Sequence, residues 1–372
     1  MAIARIDVEL AERSYPICLG PRLADVFSAA AETFNAAHEI VAIADRTAWK
    51  FHGAGVIDAI SRLGLLPPPL FTIRAQERAK TLAVARQIWR RLLDSGAGRD
   101  TLLLAVGGGL TGDLAGFAAA CYQRGIPFVQ IPTTLLAQVD AAIGGKVGVN
   151  EGGFKNAIGA FHQPRAVLAA EETLSTLKPA SWRCGLGEIV KYALLGQPWM
   201  LAELEANEPV SSSAAPRLAH VIQACCRHKA AIVADDERES GARASLNLGH
   251  TLGHALESVF ALAKLHHGEA VMYGLIYAAE TARLLGLLES PLHLRLAQLA
   301  RTLRFPTLPY LPQWELIARA MRADKKRRAG RIRMVLPRDT FIPELAVDVP
   351  DDALKAAYDA WSSTMRSVGL LL

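Results

Sequence analysis

The segment GGGLTGD, residues 107–113, follows an apolar run, TLLLAV, at residues 101–106. A short aliphatic run predicts a strand that is buried on both faces, and the glycines after it predict a tight turn into a helix. Glycines allow the backbone to approach an anion closely, and the free amides and dipole of a helix N-terminus attract negative charge. The segment therefore predicts a phosphate-binding turn between a strand and a helix.

The spacing of Gly107, Gly109 and Gly112 also satisfies the dinucleotide fingerprint G-x-G-x-x-G, although this match alone is weak. In a typical Rossmann unit, an acidic residue for the ribose follows about 20 residues later. Here the best acidic candidate, Asp45, comes earlier, directly after an apolar run at residues 39–44. The alternative is that the glycines only permit the turn. A turn does not require the Asp, Thr, Lys and Asn residues that cluster between residues 113 and 156, and these favour a nucleotide site.

The composition is that of a globular protein with room for two domains, since the chain has 372 residues, of which 51% are hydrophobic and 21% charged. No apolar run is long enough to span a membrane, and the N-terminal sequence alternates polar and apolar residues. We therefore expect neither a membrane partner nor a secretory signal. The five cysteines are odd in number and show no C-x-x-C spacing, which indicates reduced thiols in a cytoplasmic protein.

The net charge of +5 includes a basic cluster, KKRRAGRIR, at residues 325–333. Such a cluster can bind nucleic acid, but only 6% of the residues are aromatic and no recognition motif accompanies it. We expect no nucleic-acid partner, because an anionic small substrate explains the charge at least as well.

Alternating strand and helix patterns in the first half of the chain predict a mostly parallel sheet covered on both faces. Residues 4–10 and 14–19 alternate, which predicts a hairpin or two edge strands. The later strands are predicted near residues 39–44, 70–73, 101–106 and 127–131, and the helices near 22–34, 55–64, 78–94 and 111–123. The later periodicity is helical, near residues 185–206, 215–233, 248–263, 268–286, 291–303, 313–323 and 351–366, with one strand signal at 331–337. These patterns predict an α/β domain over residues 1–175 and a helical domain over residues 176–372.

Histidines in the helical half suggest a metal site. His250 and His254 are spaced one helical turn apart, His267 follows closely, and Glu188 lies well before them. Imidazole and carboxylate ligands suit Zn²⁺, and a catalytic zinc keeps three protein ligands and one open position. Without the glutamate of H-E-x-x-H the pair is only suggestive, and core or capping histidines are the alternative. The acidic run at residues 235–239 is interpreted as a solvated turn.

Seven segments of the chain together resemble the 3-dehydroquinate synthase family, the founding family of the sugar-phosphate cyclases. They occur in the family's order and cover most of residues 39–337. The segments are GGGLTGDLAGFAAACYQRG, QIPTTLLAQVDAAIGGKVGVN, KNAIGAFHQP, GLGEIVKY, LNLGHTLGHALE, HHGEAV and DKKRRAGRIRMVLP.

The resemblance implies an NAD-binding, Rossmann-like α/β domain, an all-α C-terminal domain and an active site between them. By the family's pattern, NAD would be held by Asp45, Glu77, Lys80, Gly108, Gly109, Asp113, Thr133, Thr134 and Thr176. Zinc, with Co²⁺ as an alternative metal, would be held by Glu188, His250 and His267, which leaves His254 for the substrate.

The resemblance also implies a set of substrate residues and a homodimer. The substrate set comprises Asp140, Lys146, Lys155, Asn156, Lys191, Lys229, Arg243, Asn247, His254 and one lysine of residues 325–326, for which Lys326 is preferred. Arg124 would reach the active site of the neighbouring subunit.

The reaction implied is the conversion of 3-deoxy-D-arabino-heptulosonate 7-phosphate to 3-dehydroquinate and phosphate. It proceeds by NAD-dependent oxidation, phosphate elimination, re-reduction and intramolecular aldol cyclisation, so NAD is regenerated. One alternative is a sister cyclase that acts on sedoheptulose 7-phosphate or another sugar phosphate. A metal-dependent polyol dehydrogenase and a catalytically silent binding homologue are more remote alternatives.

Three positions depart from the family's usual residues: Ala170, Gly187 and Val147. None of them removes a predicted ligand. Glycine within a helix costs about 1 kcal/mol relative to alanine, so Gly187 raises a question about local helix stability.

Overall fold

The computed structural model describes residues 3–35, 37, 39–260, 265–324 and 332–372, so Lys326 lies outside the described residues. The strands are β1 (Ala4–Val8), β2 (Tyr15–Gly20), β3 (Glu39–Asp45), β4 (Leu70–Ile73), β5 (Thr101–Gly107), β6 (Phe128–Pro132), β7 (Lys146–Glu151), β8 (Phe154–Phe161), β9 (Ala166–Ala170), β10 (Ile332–Leu336) and β11 (Glu344–Val349).

The helices are α1 (Leu23–Ala29), α2 (Ala31–Phe34), α3 (Arg46–Arg62), α4 (Leu82–Asp94), α5 (Gly109–Cys121), α6 (Pro179–Leu194), α7 (Trp199–Asn207), α8 (Ala219–Asp235), α9 (His250–Val259), α10 (His267–Leu284), α11 (Leu292–Thr302), α12 (Trp314–Asp324) and α13 (Asp351–Ser367). Short 3₁₀ segments include Glu77–Ala79, Tyr122–Arg124, Glu171–Thr176 and Ala242–Asn247, and Ala137–Ala141 is a single turn of π-helix.

The chain divides into two compact units, one of Met1–Leu177 with Ala215–Arg238 and one of Lys178–Ala214 with Glu239–Leu372. The first division, after Leu177, falls close to the predicted domain boundary after residue 175. The segment that contains α8 returns to the first unit, however, so the two units are not separated by a single boundary along the chain. Helix α8 packs against β1 and the π-helical turn, and Cys226 Sγ donates a hydrogen bond to the carbonyl oxygen of Gln138 in that turn. This packing, rather than the helical periodicity, decides where the segment belongs.

The first unit contains a seven-stranded sheet in the order β1-β2-β9-β6-β5-β3-β4. Only the β1–β2 pair is antiparallel. Strand β5 is buried along its whole length, as predicted. Leu102, Leu104 and Val106 belong to the core on one face of the sheet, and Leu103 and Ala105 belong to the core on the other. The sheet is therefore covered on both faces, in agreement with its aliphatic strands.

Two helices differ in extent from the prediction for identifiable reasons. Helix α3 begins at Arg46 rather than near residue 55, because Asp45 Oδ1 accepts hydrogen bonds at 2.9 Å from the amides of both Thr47 and Ala48 and so caps the helix. The helix predicted over residues 185–206 is instead two helices, α6 and α7. They are separated at Gly196, whose φ is +106°, and Pro198.

The second unit is built around α10, which is buried over almost all of its length. Helices α6, α9, α11 and α13 all pack against it. The named elements of its described residues are helices apart from the antiparallel β10–β11 pair, of which the sequence patterns predicted only the first strand. Among the described residues, no helix is both long and apolar enough to cross a membrane.

Candidate active site

Three of the predicted metal ligands meet in the second unit. Glu188 Oε1 lies 3.2 Å from His267 Nε2 and 3.6 Å from His250 Nε2, and one donor atom from each residue lies within 4.8 Å of the others. The Glu188 side chain is fully buried, whereas 33% of the His267 side chain is exposed. The cluster therefore has a closed side at Glu188 and an accessible side at His267.

The hydrogen bonds of the two imidazoles orient them for a metal. His250 Nδ1 lies 3.0 Å from the carbonyl oxygen of Leu248, and His267 Nδ1 lies 3.0 Å from Glu257 Oε2. Because both partners are acceptors, each Nδ1 carries a proton and each Nε2 is directed to Glu188. In metal-bound histidine, the ring nitrogen that does not face the metal typically donates a hydrogen bond to an acceptor. A donor set of two imidazoles and a carboxylate fits Zn²⁺.

The two imidazoles differ in their pKa values in the metal-free protein. Burial lowers the pKa of His250 to about 3, so this ring is neutral at pH 7. Burial also acts to lower the pKa of His267, but the hydrogen bonds that its ring donates to Glu188 and Glu257 outweigh burial and raise that pKa to about 10. Binding of a metal at His267 Nε2 would therefore displace a proton.

Close backbone packing of α6 against α10 sets the position of Glu188 relative to His267. A β-carbon on Gly187 would lie 2.0 Å from the carbonyl oxygen of Gly268. Real side chains essentially never approach so closely, so the two helices are in contact through their backbones. Gly187, whose effect on helix stability the sequence left in question, therefore has a packing role.

The first turn of α10 is held by a buried carboxylate that the sequence analysis did not single out. Glu269 Oε1 accepts a hydrogen bond at 2.7 Å from Arg183 Nε, and Glu269 Oε2 accepts one at 3.1 Å from the amide of His266. This capping arrangement ties α6 to the N-terminus of α10, where His267 is the first residue.

Among the described residues, four other predicted substrate residues lie in the same unit, and two of them, Lys191 and His254, lie beside the metal cluster. Lys191 Nζ lies 2.5 Å from Glu188 Oε2, and the Lys191 side chain is 1% exposed. The ring of His254 lies 5.2 Å from that of His250 and 5.9 Å from that of His267, measured between centroids. Arg243 is buried, and Asn247 Nδ2 donates to Glu239 Oε1 at 3.1 Å in the 3₁₀ segment before α9.

In the first unit, the predicted NAD residues lie at or just after the carboxyl ends of parallel strands. Asp45 ends β3, Glu77 and Lys80 follow β4, Gly108 and Gly109 follow β5, Thr133 and Thr134 follow β6, and Thr176 follows β9. In open α/β sheets this edge is where ligands bind.

The glycines after β5 form a cradle that side chains would fill. A β-carbon on Gly108 would lie 3.0 Å from Thr134 Cγ2, and one on Gly109 would lie 2.9 Å from the β-carbon of Ala141. Among the described residues, no side chain caps the N-terminus of α5. An uncapped helix N-terminus that begins with glycines fits the phosphates of a dinucleotide.

A buried ion pair connects three of the predicted residues beside this cradle. Lys80 Nζ lies 2.5 Å from Asp113 Oδ2, and it also donates to Asn156 Oδ1. Desolvation raises the pKa of Asp113, and the charge of Lys80 opposes that shift. Glu77 Oε1 accepts a hydrogen bond from Asn150 Nδ2 at 2.7 Å, and Asn150 Oδ1 in turn accepts one from the amide of Asn156 at 2.9 Å.

The remaining predicted residues lie elsewhere in the first unit. Lys229 on α8 donates to both the carbonyl oxygen and the carboxylate of Asp140 in the π-helical turn. Lys146 and Lys155 are exposed on the β7–β8 hairpin, for which the sequence patterns predicted no strand. Arg124 is exposed in a turn with a positive φ of 67°.

Sequence reasoning missed Glu257 and Asn150, which bond to predicted site residues, and Glu269, which caps the helix that begins at His267. A signal for Glu257 was present, because it lies seven residues after His250 and therefore on the same face of α9. The interpretation of residues 235–239 as a solvated turn was wrong in part. Asp236 is buried, and Glu237 Oε1 accepts hydrogen bonds from Arg13 at 2.6 Å and from Gln163 at 2.9 Å.

Comparisons with known proteins agree on a single family. Residues 70–184 match the model of the 3-dehydroquinate synthase N-terminal domain, and residues 185–327 match that of the C-terminal domain. The chain is 39% identical to a 3-dehydroquinate synthase of Vibrio atlanticus (strain LGP32), over 95% of this chain and 98% of that protein. It is 40% identical to a 3-dehydroquinate synthase of Methylococcus capsulatus, over 96% of this chain and 99% of that protein.

A solved structure shares the fold. It is ValA, the 2-epi-5-epi-valiolone synthase of Streptomyces hygroscopicus subsp. jinggangensis 5008, with NAD⁺ and Zn²⁺ bound. The likeness has a TM-score of 0.86 at 28% identity and covers 95% of this chain and 98% of that one. Both matched family models and the two curated relatives lead to one conclusion: the chain belongs to the 3-dehydroquinate synthase family.

Proposed function

We propose that this chain converts 3-deoxy-D-arabino-heptulosonate 7-phosphate to 3-dehydroquinate and phosphate, with NAD and Zn²⁺ as cofactors, as a cytoplasmic homodimer. Two curated relatives at about 40% identity over nearly their whole length carry that enzyme name. The observation that carries the proposal is the cluster of Glu188, His250 and His267, with donor atoms within 4.8 Å of one another.

Glu188, His250 and His267 would hold the zinc. When bound, Zn²⁺ supplies Lewis-acid activation of a substrate hydroxyl, and NAD supplies the hydride acceptor. Lys191 is held beside the cluster by its ion pair with Glu188, so its charge is available to an anionic or hydroxyl group of the substrate. His254 lies on the same face of α9 as His250, and its imidazole can hold or release a proton next to the cluster.

The cradle at the carboxyl edge of the sheet would hold NAD. The amides at the start of α5 would meet the diphosphate, because among the described residues no side chain caps that helix. The ion pair of Lys80 with Asp113 orders the side chains beside the cradle. Supporting contacts to NAD would come from Asp45, Glu77, Thr133, Thr134 and Thr176.

The substrate would be held by a set of charged and amide side chains. A substrate with a phosphate, a carboxylate and several hydroxyls needs such groups in number. They are Asp140, Lys146, Lys155, Asn156, Lys229, Arg243 and Asn247, together with Lys326, and Arg124 would serve the neighbouring subunit. The presence of Lys229, Arg243 and Asn247 favours a substrate with a carboxylate over the sugar phosphates that lack one.

The proposal is tested by following phosphate release and NADH absorbance together, with purified protein, catalytic NAD, Zn²⁺ and the heptulosonate phosphate. We expect stoichiometric phosphate, dehydroquinate as the product and no accumulation of NADH, because the hydride returns in each turnover. Accumulation of NADH without phosphate would indicate a dehydrogenase.

Sedoheptulose 7-phosphate, assayed in parallel, separates the proposed enzyme from a sister cyclase. Phosphate release from that sugar alone would contradict the proposed substrate while retaining the cyclase chemistry. Absence of turnover with every sugar phosphate, in protein shown to contain zinc and NAD, would favour a binding homologue.

A further inference from the structure

Glu257 is a buried carboxylate with a specific partner. Its side chain is 5% exposed, and its Oε2 lies 3.0 Å from His267 Nδ1. Removal of a carboxylate from water is costly unless a donor satisfies it, and here the imidazole is such a donor. The contact joins two separate helices, because Glu257 lies on α9 and His267 begins α10.

The ring of His267 lies between two carboxylates with different tasks. Its Nε2 is directed to Glu188 Oε1 at 3.2 Å, in the group of three predicted metal ligands, and its Nδ1 is directed to Glu257. A hydrogen bond at each nitrogen fixes the rotation of the ring about its side-chain bonds. With 33% of the His267 side chain exposed, packing alone holds this ring less firmly than it holds buried Glu188.

We propose that Glu257 is a positioning residue for the metal: it accepts the Nδ1–H of His267, fixes that tautomer and makes Nε2 a stronger donor to the ion. The inference rests on the metal site of the proposed function. Outer-sphere carboxylates of this kind typically contribute a factor of about 10–100 in metal affinity.

One alternative assigns Glu257 directly to a second ion, because His254, Glu257 and His267 also have donor atoms within 4.8 Å of one another. That arrangement would require His267 to bind one ion through each nitrogen, with its ring fully deprotonated. A hydrogen bond from Nδ1–H of His267 to the Glu257 carboxylate does not require the ring to lose both protons. The geometry therefore favours the positioning role, and the metal stoichiometry distinguishes the two.

The test measures Zn²⁺ affinity by chelator competition on the full-length protein, without NAD or substrate, for wild type, Glu257→Gln and Glu257→Ala. We expect dissociation constants about 10-fold higher for Glu257→Gln and up to about 100-fold higher for Glu257→Ala. The glutamine retains the shape and an acceptor but lacks the charge. The visible absorption of the Co²⁺-loaded protein should shift in the same order, because it reports the ligand field at the metal.

A matched control is Glu280→Gln. Glu280 is also a buried carboxylate of the second unit, but it bonds Thr364 Oγ1 at 2.7 Å and Arg283 Nε at 3.1 Å, away from the cluster. Its loss should lower the melting temperature and leave zinc affinity and the cobalt spectrum unchanged. A merely structural role of Glu257 would give that same result in both variants.

Three outcomes would overturn the inference. The first is wild-type zinc affinity and cobalt spectrum in a folded Glu257→Gln protein, which refutes it even if Glu257→Ala fails to fold. The second is two zinc ions in wild type and one in Glu257→Gln, which would make Glu257 a ligand. The third is failure of the wild type itself to bind zinc, which would overturn the metal site of the proposed function as well. The first two leave that site intact, so the failures are distinguishable.

Discussion

A β-carbon on Gly268 would lie 1.9 Å from the carbonyl oxygen of Cys184, so α6 and α10 touch through their backbones at the first turn of α10. Glu188 is one helical turn after Cys184, and His267 precedes Gly268. The spacing between the two helices therefore sets the distance between two of the predicted zinc ligands. Any side chain at this contact would push the ligands apart.

We predict that Gly268→Ala lowers the free energy of unfolding by about 1–3 kcal/mol and weakens zinc binding, because an overpacked contact must be relieved by moving the helices. Urea unfolding and zinc titration of the same preparation measure both effects. Gly55→Ala is the control: its β-carbon would lie 3.1 Å from the end of the Leu23 side chain, which can move. If Gly268→Ala left stability and zinc affinity unchanged, the contact would not set the ligand spacing.

His267→Ala should abolish zinc binding and activity together while NAD affinity stays close to that of wild type, because the NAD cradle lies in the other unit. Metal analysis after gel filtration and NAD titration by fluorescence measure the two properties separately. His220→Ala, an exposed histidine on α8, is the control and should retain zinc and activity. Full activity in His267→Ala would reject the ligand assignment.

Lys80→Met should lower NAD affinity about tenfold or more and reduce stability by about 1–3 kcal/mol, because it leaves Asp113 without the lysine that offsets its burial. Zinc binding should not change. The measurements are NAD titration, thermal unfolding and metal content. Lys50→Met removes an exposed lysine of α3 and serves as the control. Unaltered NAD affinity in Lys80→Met would contradict the proposed role of the pair.

His52 should contribute to loss of stability in acid. It is 8% exposed and lies 3.0 Å from Thr176 Oγ1, and burial lowers the pKa of its imidazole below the usual 6.5. The unfolded chain therefore binds the proton first, so this contribution is present above about pH 6.5 and declines as the pH falls toward the lower pKa of the folded state.

Denaturant unfolding between pH 7 and pH 5 should accordingly show a shallower decline in His52→Gln than in wild type, with a difference in slope of at most about 1.4 kcal/mol per pH unit. Glutamine can keep a hydrogen bond to Thr176. Identical slopes for the two proteins would show that His52 titrates normally.

Arg124 should act across a dimer interface. If it does, Arg124→Ala and His267→Ala are each inactive alone, but a mixed dimer contains one complete site, formed by the intact Arg124 of one subunit and the intact His267 of the other. Random mixing of subunits should then restore about a quarter of wild-type activity. Refolding the two variants together, with differently tagged subunits to count mixed dimers, provides the measurement. No recovery in verified mixed dimers would place Arg124 in its own subunit's site.

The parallel core of the first unit was predictable from local patterns. Strands β3, β4, β5 and β6 all lie within one or two residues of their predicted positions, because uninterrupted aliphatic runs between turn residues have few other stable arrangements. The fold and the family were confirmed, whereas the residue-level roles stay predictions.

The sequence patterns did not predict strands β7 and β8, and the reason is physical. The residues of β8 are almost wholly exposed, and those of β7 include three consecutive buried positions, so neither strand shows a regular apolar alternation. Gly148 and Gly159 face each other where a β-carbon would lie 2.8 Å from Ile158 O and 2.4 Å from Val147 O, respectively. Only pairing between the strands reveals the hairpin.

The sequence by itself determined the family, the covered parallel sheet and the identities of the candidate ligands, because these depend on residue types and their order along the chain. The tertiary structure alone decided that α8 joins the first unit and that Glu188 meets His267 across a glycine contact. It also decided that Glu257 accepts a hydrogen bond from His267 Nδ1. Each of these features depends on a close approach between segments that are distant in sequence. Local sequence patterns do not predict such contacts.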